Sequence, residues 1–222
     1  MTDFAKIDTT IYIGNLPIHQ PVTAFTDYII AILCFYFYRN LNRLSTDDIS
    51  IKHWKHFFLL LSIASFTGGC SHGFFAIHEG FAYKSFWLAM QSFNVLSVFY
   101  AQQATLCSAL QYSTKKNYWN LSYKIQLVLF LIAVFVFHNF LVVVIDSTIG
   151  LIPIMIIHFM DAKKIKSSVW IAYGIMVLFL AAIVNTTKFS FHVYFNYLDI
   201  AHIFIMINLS LIFKGVREKI TS

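Results

Sequence analysis

Seven long apolar segments constrain this chain more than any other feature of its sequence. They cover residues 21–38, 54–77, 84–110, 121–137, 140–159, 168–184 and 195–215. An apolar helix of about 20 residues crosses the hydrocarbon core of a bilayer, and an unpaired backbone amide is costly there. The segments therefore predict an all-α fold, an integral membrane bundle of seven transmembrane helices that forms one domain over residues 1–222.

The composition excludes an ordinary soluble domain. Hydrophobic residues make up 59% of the chain and charged residues only 12%, which leaves too little polar surface for a water-soluble fold. The net charge of +6 comes from short basic clusters between the apolar segments and not from a continuous stripe, so we expect no nucleic-acid partner. The cysteines Cys34, Cys70 and Cys107 lie inside apolar segments without CxxC spacing, and we interpret them as small packing residues.

The basic residues also predict an orientation. All Lys and Arg residues except Lys6, Lys84 and Lys188 lie in one set of alternate connections, at the adjoining ends of the spans, or beyond the last span. Cytoplasmic loops carry an excess of Lys and Arg. We therefore expect the amino terminus outside and the carboxyl terminus in the cytoplasm of a multi-pass protein of the cell membrane, the inner membrane in a bacterium.

Apart from Lys and His residues near the ends of the segments, five ionisable residues lie within the apolar segments, where lipid penalises them. With the predicted orientation and the helical rise of 1.5 Å per residue, all five fall in the outer half of the membrane. Gln91, Asn94 and Asn185 lie near the same level. These positions predict a polar pocket open to the outer side, whereas the alternative is hydrogen bonding between helices with no further role. The five residues are Asp27, His72, Asp146, Asp199 and His202.

Within this layer, His72, His202 and Asp199 offer two imidazoles and a carboxylate. This is a known ligand set for a catalytic zinc ion that keeps one position open for water. The competing interpretation needs no metal, because a protonated histidine could pair with Asp27, Asp146 or Asp199. The residues alone leave both arrangements open.

Three segments carry a resemblance to a known group. They are TDYIIA in the first span, HWKHFFLLLSIASFTGGCSHGF in the second and FNYLDIAHIFIMINLSLIFKG in the last. Together they resemble a family of bacterial seven-helix membrane proteins that is similar to the superfamily of alkaline ceramidases and progestin/adipoQ receptors, called CREST. The resemblance implies a seven-helix bundle with a zinc ion that activates water to cleave a lipid amide or a related bond.

The resemblance also implies particular residues. His72 matches the histidine of the second helix, and His202 matches the later histidine of the seventh. Gly68 and Leu198 stand where the superfamily pattern has a serine and an earlier histidine. Asp199 would then replace the missing ligand, and Ser65 or Ser71 would replace the missing hydroxyl.

Two functions from different classes follow. The first is a zinc-dependent hydrolase of lipid amides or esters, in which His72, Asp199 and His202 hold the metal and Asp27 or Asp146 accepts a proton. The second is a non-catalytic binding or sensory protein that recognises a small ligand or a lipid headgroup. Both have membrane lipids as partners. A transporter is less favoured because the sequence has no inverted repeat.

Overall fold

A computed structural model describes residues 8–44, 46–75 and 80–221 of the chain. This part is predominantly helical, which confirms the all-α class. The helices are α1 (Pro21–Arg43), α2 (Ile49–Cys70), which continues into a π turn (Ser71–Phe75), α3 (Phe81–Cys107), α4 (Lys116–Phe137), α5 (Leu141–Asp161), α6 (Ser168–Thr187) and α7 (Tyr197–Thr221).

Several helices extend past the predicted spans into polar sequence. α1 continues to Arg43, α4 begins at Lys116 and α7 continues to Thr221. Backbone hydrogen bonds can continue into polar residues once a helix is formed, so hydrophobicity marks the membrane portion and not the helix ends. The second predicted span ran to residue 77, and its last two residues lie outside the described part.

Six of these helices are long and apolar enough to cross a membrane: α1, α2 with its π turn, α4, α5, α6 and α7. The chain is therefore expected to cross the membrane several times. α3 is the longest helix at 27 residues, but it includes Gln91, Asn94, Gln102 and Gln103, which lower its hydropathy. Its predicted role as a seventh span remains a prediction.

The polar lead before α1 contains a β-hairpin that the sequence analysis missed. β1 (Ile11–Ile13) pairs antiparallel with β2 (Leu16–Ile18), and Ile13 lies opposite Leu16. Gly14 occupies the turn at a φ of 61°, a left-handed conformation that glycine adopts readily. A two-residue turn that begins with glycine, between apolar residues, is a recognisable hairpin signal. We call the end of the bundle where α1 begins the hairpin end.

Neighbouring helices form a closed ring. α1 packs against α2 and α7, α3 packs against α2 and α5, and α6 packs against α5 and α7. α4 lies outside this ring against α3 and α5. Only 11% of its apolar window is buried inside the protein, compared with 44% for α1, so α4 presents most of its surface to lipid.

The main apolar core lies away from the hairpin end. Phe37 and Phe213 stack with ring centroids 4.2 Å apart, and Trp54 and Phe58 pack beside them. These residues come late in α1 and α7 and early in α2. The core therefore closes the ring at the opposite end and leaves the hairpin end to smaller and more polar side chains.

Candidate ligand cavity

A cavity of about 390 Å³ lies between α1, α2, α3, α6 and α7 toward the hairpin end. This volume is within the range of small-molecule sites. Its wall consists of Asp27, Ile30, Leu61, Ala64, Ser65, His72, Trp87, Met90, Asn94, Phe140, Asn185, Tyr197, Leu198, Ala201, His202, Ile205 and Leu209.

The wall changes from polar to apolar with depth. Asp27, His72 and His202 lie toward the hairpin end, each on a different segment of the chain. Further from the hairpin, the same helices contribute aliphatic side chains to the wall. These are Ile30 on α1, Leu61 on α2, and Ile205 and Leu209 on α7. The cavity thus has one end rich in hydrogen-bonding groups and a deeper part that is mainly apolar, where Ser65 and Asn94 are the polar exceptions on the wall.

Asp27 and His202 face each other at the polar end. His202 Nε2 lies 3.6 Å from Asp27 Oδ1, which is too long for a hydrogen bond. Both residues are largely buried. Within the described part of the chain, no group donates a hydrogen bond to the Asp27 carboxyl group. A carboxyl group at the cavity wall is therefore left without a protein donor.

The other ring nitrogen of His202 contacts Thr26. The distance from Nδ1 to Thr26 Oγ1 is 2.7 Å. The same hydroxyl lies 3.0 Å from the carbonyl oxygens of Val22 and Thr23, which only accept hydrogen bonds. A hydroxyl has one hydrogen, and when that hydrogen bonds to a carbonyl, Nδ1 must donate. In a neutral His202 the lone pair then lies on Nε2, which faces Asp27.

His72 lies in the π turn that follows Gly68 and Gly69. π turns are rare and occur mostly as single interruptions of α-helices, often at functional sites. His72 Nδ1 is 2.6 Å from Gln20 Oε1. Because an amide oxygen accepts, Nδ1 carries the hydrogen, and a neutral His72 keeps the lone pair on Nε2.

The hairpin is fastened to this turn. The backbone N–H of His19, just after β2, donates to the carbonyl oxygen of Gly73 at 2.8 Å. Gln20 then reaches the imidazole of His72. The segment that holds His72 therefore contacts the chain immediately before α1.

Asp199 has a structural role at the start of α7. Its Oδ1 accepts from Thr23 Oγ1 at 2.8 Å, and its Oδ2 accepts from the backbone N–H of Asn196 at 2.8 Å. Asn196 Oδ1 in turn accepts from the backbone N–H of Leu198 at 2.9 Å. The two side chains cap the start of α7 in a variant of the capping box, in which the Asn196 side chain accepts from the second helical residue and not from the third. The spacing of Asn196 and Asp199 is the sequence signal for it.

The predicted zinc ligands are not all brought together. His72 and His202 share the cavity wall, whereas Asp199 is fully buried and is not among the residues that line it. Among the described residues, no group of three or more His, Cys, Asp or Glu side chains could hold a metal ion. The residues as placed do not fit a three-ligand zinc site, and Asp27 occupies the position next to His202.

Asp146 belongs to a separate cluster between α3, α4 and α5. Its Oδ1 accepts from Gln126 Nε2 at 2.8 Å, and Gln126 Oε1 accepts from Gln102 Nε2 at 2.8 Å. Asp146 is buried and does not line the cavity. The sequence analysis missed both glutamines, although a glutamine within an apolar span is itself a sign of a polar contact between helices.

The predicted pocket-lining residues divide between the wall and its surroundings. Ser65, Asn94 and Asn185 lie on the wall. Ser71 is buried elsewhere. Gln91 lies behind the wall, where its amide accepts from Trp87 Nε1 at 2.7 Å and donates to the Asn139 carbonyl oxygen at 2.9 Å in the orientation that satisfies both groups.

Three aromatic residues at the cavity are absent from the predicted site. Trp87, Phe140 and Tyr197 line the wall. The ring of Trp87 stacks on Tyr83 with centroids 5.9 Å apart and meets the edge of His72 at 6.3 Å. Trp87 is thus held between α3 and the π turn.

A family model matches residues 22–221, which include every residue of the cavity wall and all seven helices except Pro21, the first residue of α1. The chain belongs to the DUF6962 family. Its description is a family of unknown function. The β-hairpin lies outside the matched range of the DUF6962 family. No curated protein and no solved structure gives a match.

Proposed function

We propose that this protein is a binding or sensory membrane protein whose cavity at the hairpin end recognises a small molecule or a lipid headgroup. One observation carries the proposal: Asp27, His72 and His202, from α1, the π turn and α7, line the same cavity. Polar groups that converge on a partly apolar cavity are the usual features of a ligand site.

We also propose that α3 is the seventh span. A helix of 27 residues is about 40 Å long, enough to cross the hydrocarbon core. It packs against α2, α4 and α5, and Gln102 bonds to a neighbouring helix, so its polar side chains need not face lipid. Seven spans and the distribution of basic residues give an outside amino terminus and an outward-facing cavity.

The topology can be tested with single cysteines that replace Tyr12 in the hairpin and Lys164 in the connection between α5 and α6. All three native cysteines are first replaced by alanine. In intact cells, a thiol reagent that does not cross the membrane should label position 12 and leave position 164 unlabelled. Equal labelling at both positions, or labelling at 164 alone, would reject this topology.

Ligand binding can be followed through the fluorescence of Trp87, because this indole lies on the wall. A panel of amines, alcohols and carboxylates with short alkyl chains is titrated into protein in nanodiscs. We expect His72→Ala to weaken binding and His56→Ala to leave it unchanged, because His56 lies on the same helix outside the cavity. No saturable signal in folded protein, or equal loss in both variants, would count against the proposal.

A second candidate is the zinc-dependent lipid hydrolase of the CREST resemblance. What favours it is that His72 and His202, the two residues that match the superfamily pattern, share one cavity wall. It requires a ligand set different from the predicted one, because Asp199 is committed to the cap of α7.

Elemental analysis tests this candidate on protein purified without a histidine tag or chelator. About one zinc per chain, lost in both His72→Ala and His202→Ala, would support the hydrolase and justify assays on lipid amides and esters. Folded protein without zinc would leave the binding function as the only candidate of the two.

A further inference from the structure

We infer that the ligand of this cavity is an amphipathic primary amine, bound with its ammonium group between Asp27 and His202 and its apolar part toward the deep end. The inference rests on the proposed binding function and specifies the class of ligand. It is carried by the hydrogen-bonding groups of the wall, its charge and the change from polar to apolar with depth.

The polar end of the cavity is rich in acceptors. The Asp27 carboxyl group receives no hydrogen bond from the described residues. The Thr26 and Gln20 contacts place the ring hydrogen on Nδ1, so neutral His202 and neutral His72 each carry a lone pair on Nε2. A bound ligand would shield these acceptors from water, and an acceptor that is shielded without a donor is costly. The ligand should therefore supply several donors, and a primary ammonium group has three.

The gap between Asp27 and His202 suits such a group. The two acceptor atoms, Asp27 Oδ1 and His202 Nε2, are 3.6 Å apart, too far to bond directly and close enough to be bridged by one donor nitrogen at the side. Behind Asp27 lies Gly68, where an added Cβ would be 3.3 Å from Oδ2. Glycine offers no side-chain donor there.

The charge of the wall also favours an ammonium group. Asp27 is its one acidic side chain, and the wall includes no Lys or Arg among the residues that the structure describes. Electrostatic interactions are strong where water is excluded. A phosphate or carboxylate would have no cation to pair with, whereas an ammonium ion would pair with Asp27.

The aromatic and aliphatic residues of the wall also suit an amphipathic amine. Trp87 and Tyr197 lie on the wall near the polar end, and aromatic faces attract cations. The aliphatic side chains of Ile30, Leu61 and Leu209 surround the deep end. An alkyl chain attached to the ammonium group would bury its surface there, which favours an amphiphile over a small hydrophilic amine.

The test compares four compounds with one alkyl chain: octylammonium, octyltrimethylammonium, 1-octanol and octanoate. Each is titrated into wild-type protein in zwitterionic nanodiscs, with empty nanodiscs as the reference for partitioning. We expect octylammonium to bind at least about tenfold more tightly than the other three, because only it combines the charge with N–H donors.

Variants then test whether octylammonium binds in the cavity beside Asp27. Asp27→Asn should weaken octylammonium binding by about tenfold or more and reduce its advantage over octanol. Asp47→Asn, at an exposed aspartate outside the cavity, should leave the affinity unchanged. Circular dichroism and thermal unfolding establish that each variant is folded. If Asp27→Asn does not fold, the comparison of the four compounds on wild-type protein still decides the question.

The experiments distinguish a wrong ligand class from a cavity that binds no ligand. If octanol or octanoate binds as tightly as octylammonium and His72→Ala weakens that binding, the amine class is wrong but the cavity still binds ligands. If no compound gives a saturable signal, both the inference and the proposed function fail. If octylammonium binds, competition by phosphatidylethanolamine in the nanodisc identifies a lipid headgroup as the source, and absence of competition identifies a free amine.

Discussion

Two buried acids, Asp27 and Asp146, lie in similar positions near the starts of α1 and α5, yet their surroundings differ. Asp27 lies on the cavity wall with its nearest histidine nitrogen 3.6 Å away. Asp146 is enclosed between α3, α4 and α5 and accepts a hydrogen bond from Gln126 at 2.8 Å. An acid at a given depth in a membrane helix can therefore line a cavity or fasten helices together.

The difference arises from the packing beside each acid. Near Asp146, Gly150 lets α3 and α4 approach closely, and an added Cβ would lie 2.4 Å from Val98 Cγ1 and 3.0 Å from the amide nitrogens of Gln102 and Gln126. Near Asp27, an added Cβ on Gly68 would lie 3.2 Å from the sulfur of the flexible Met90 and 3.3 Å from Asp27 Oδ2, both side-chain atoms. One region is tightly filled, and the other can still adjust.

The largest predicted effect comes from adding a methyl group to each glycine. Gly150→Ala should lower the free energy of unfolding by about 2 kcal/mol, because Val98 and two amides must move. Gly68→Ala should change it by less than about 1 kcal/mol, because Met90 can shift and alanine favours the helix. Thermal or denaturant unfolding in detergent measures both. Equal losses would show that the two regions are packed alike.

The next effect separates a fastening group from a group that faces a cavity. Gln126→Leu should cost about 1–2 kcal/mol, because it leaves Asp146 Oδ1 and the Gln102 amide unpaired. Asp27→Asn should change stability by less than about 0.5 kcal/mol, since no described group bonds to the carboxyl group. The same unfolding assay applies. A larger loss in Asp27→Asn than in Gln126→Leu would reverse the assignment.

A third effect concerns the acid that was predicted as a metal ligand. Asp199→Ala should destabilise the protein by about 1 kcal/mol through loss of the α7 cap. Thr23→Val removes only the bond between α1 and α7 and should cost less. Both variants should bind octylammonium when folded. Full stability of Asp199→Ala combined with lost binding would instead make Asp199 a ligand-binding residue.

The smallest effect is expected at Asp48, outside the membrane spans, where Lys219 Nζ lies 2.9 Å from its Oδ2. Burial acts to raise the pKa of Asp48, but the hydrogen bond and positive charge of Lys219 and backbone N–H groups outweigh it, so the pKa is lowered. The pair therefore stabilises the fold above the ordinary Asp pKa of about 3.9 and loses this effect as the pH falls further.

Substitution of Lys219 tests the direction of this pH dependence. Lys219→Met should lower the free energy of unfolding by about 0.5 kcal/mol at pH 7, because a partly exposed pair is screened by solvent. The difference from wild type should shrink below pH 4 and also in high salt. A difference that grows on acidification would contradict the lowered pKa.

Much of the fold could be predicted because membrane helices are specified locally. Long apolar segments such as residues 168–184 must satisfy their backbone hydrogen bonds internally in lipid, and the observed helices occupy these segments. The hairpin at Gly14 was missed because a short strand pair has a weak signal beside seven apolar runs. The ends of α4 and α7 were missed because polar residues continue a helix without changing its hydrophobicity.

The candidate site could be predicted only in part. Hydropathy and helical rise identified Asp27, His72 and His202 as intramembrane polar residues, and all three lie on one wall. The same reasoning gave equal weight to Asp146 and Asp199. What separates them is not local: the rotation of each helix, the Asn196 cap and the glutamines of α3 and α4.

The sequence alone therefore establishes the helical membrane class, because the solvent imposes it on every apolar segment independently. The meeting of Asp27 with His202 and the enclosure of Asp146 depend on the tertiary structure. Side-chain packing between segments distant in sequence sets the face that each helix turns inward. A rotation of one helix by one residue, about 100°, would move an acid from the cavity to a packed interface.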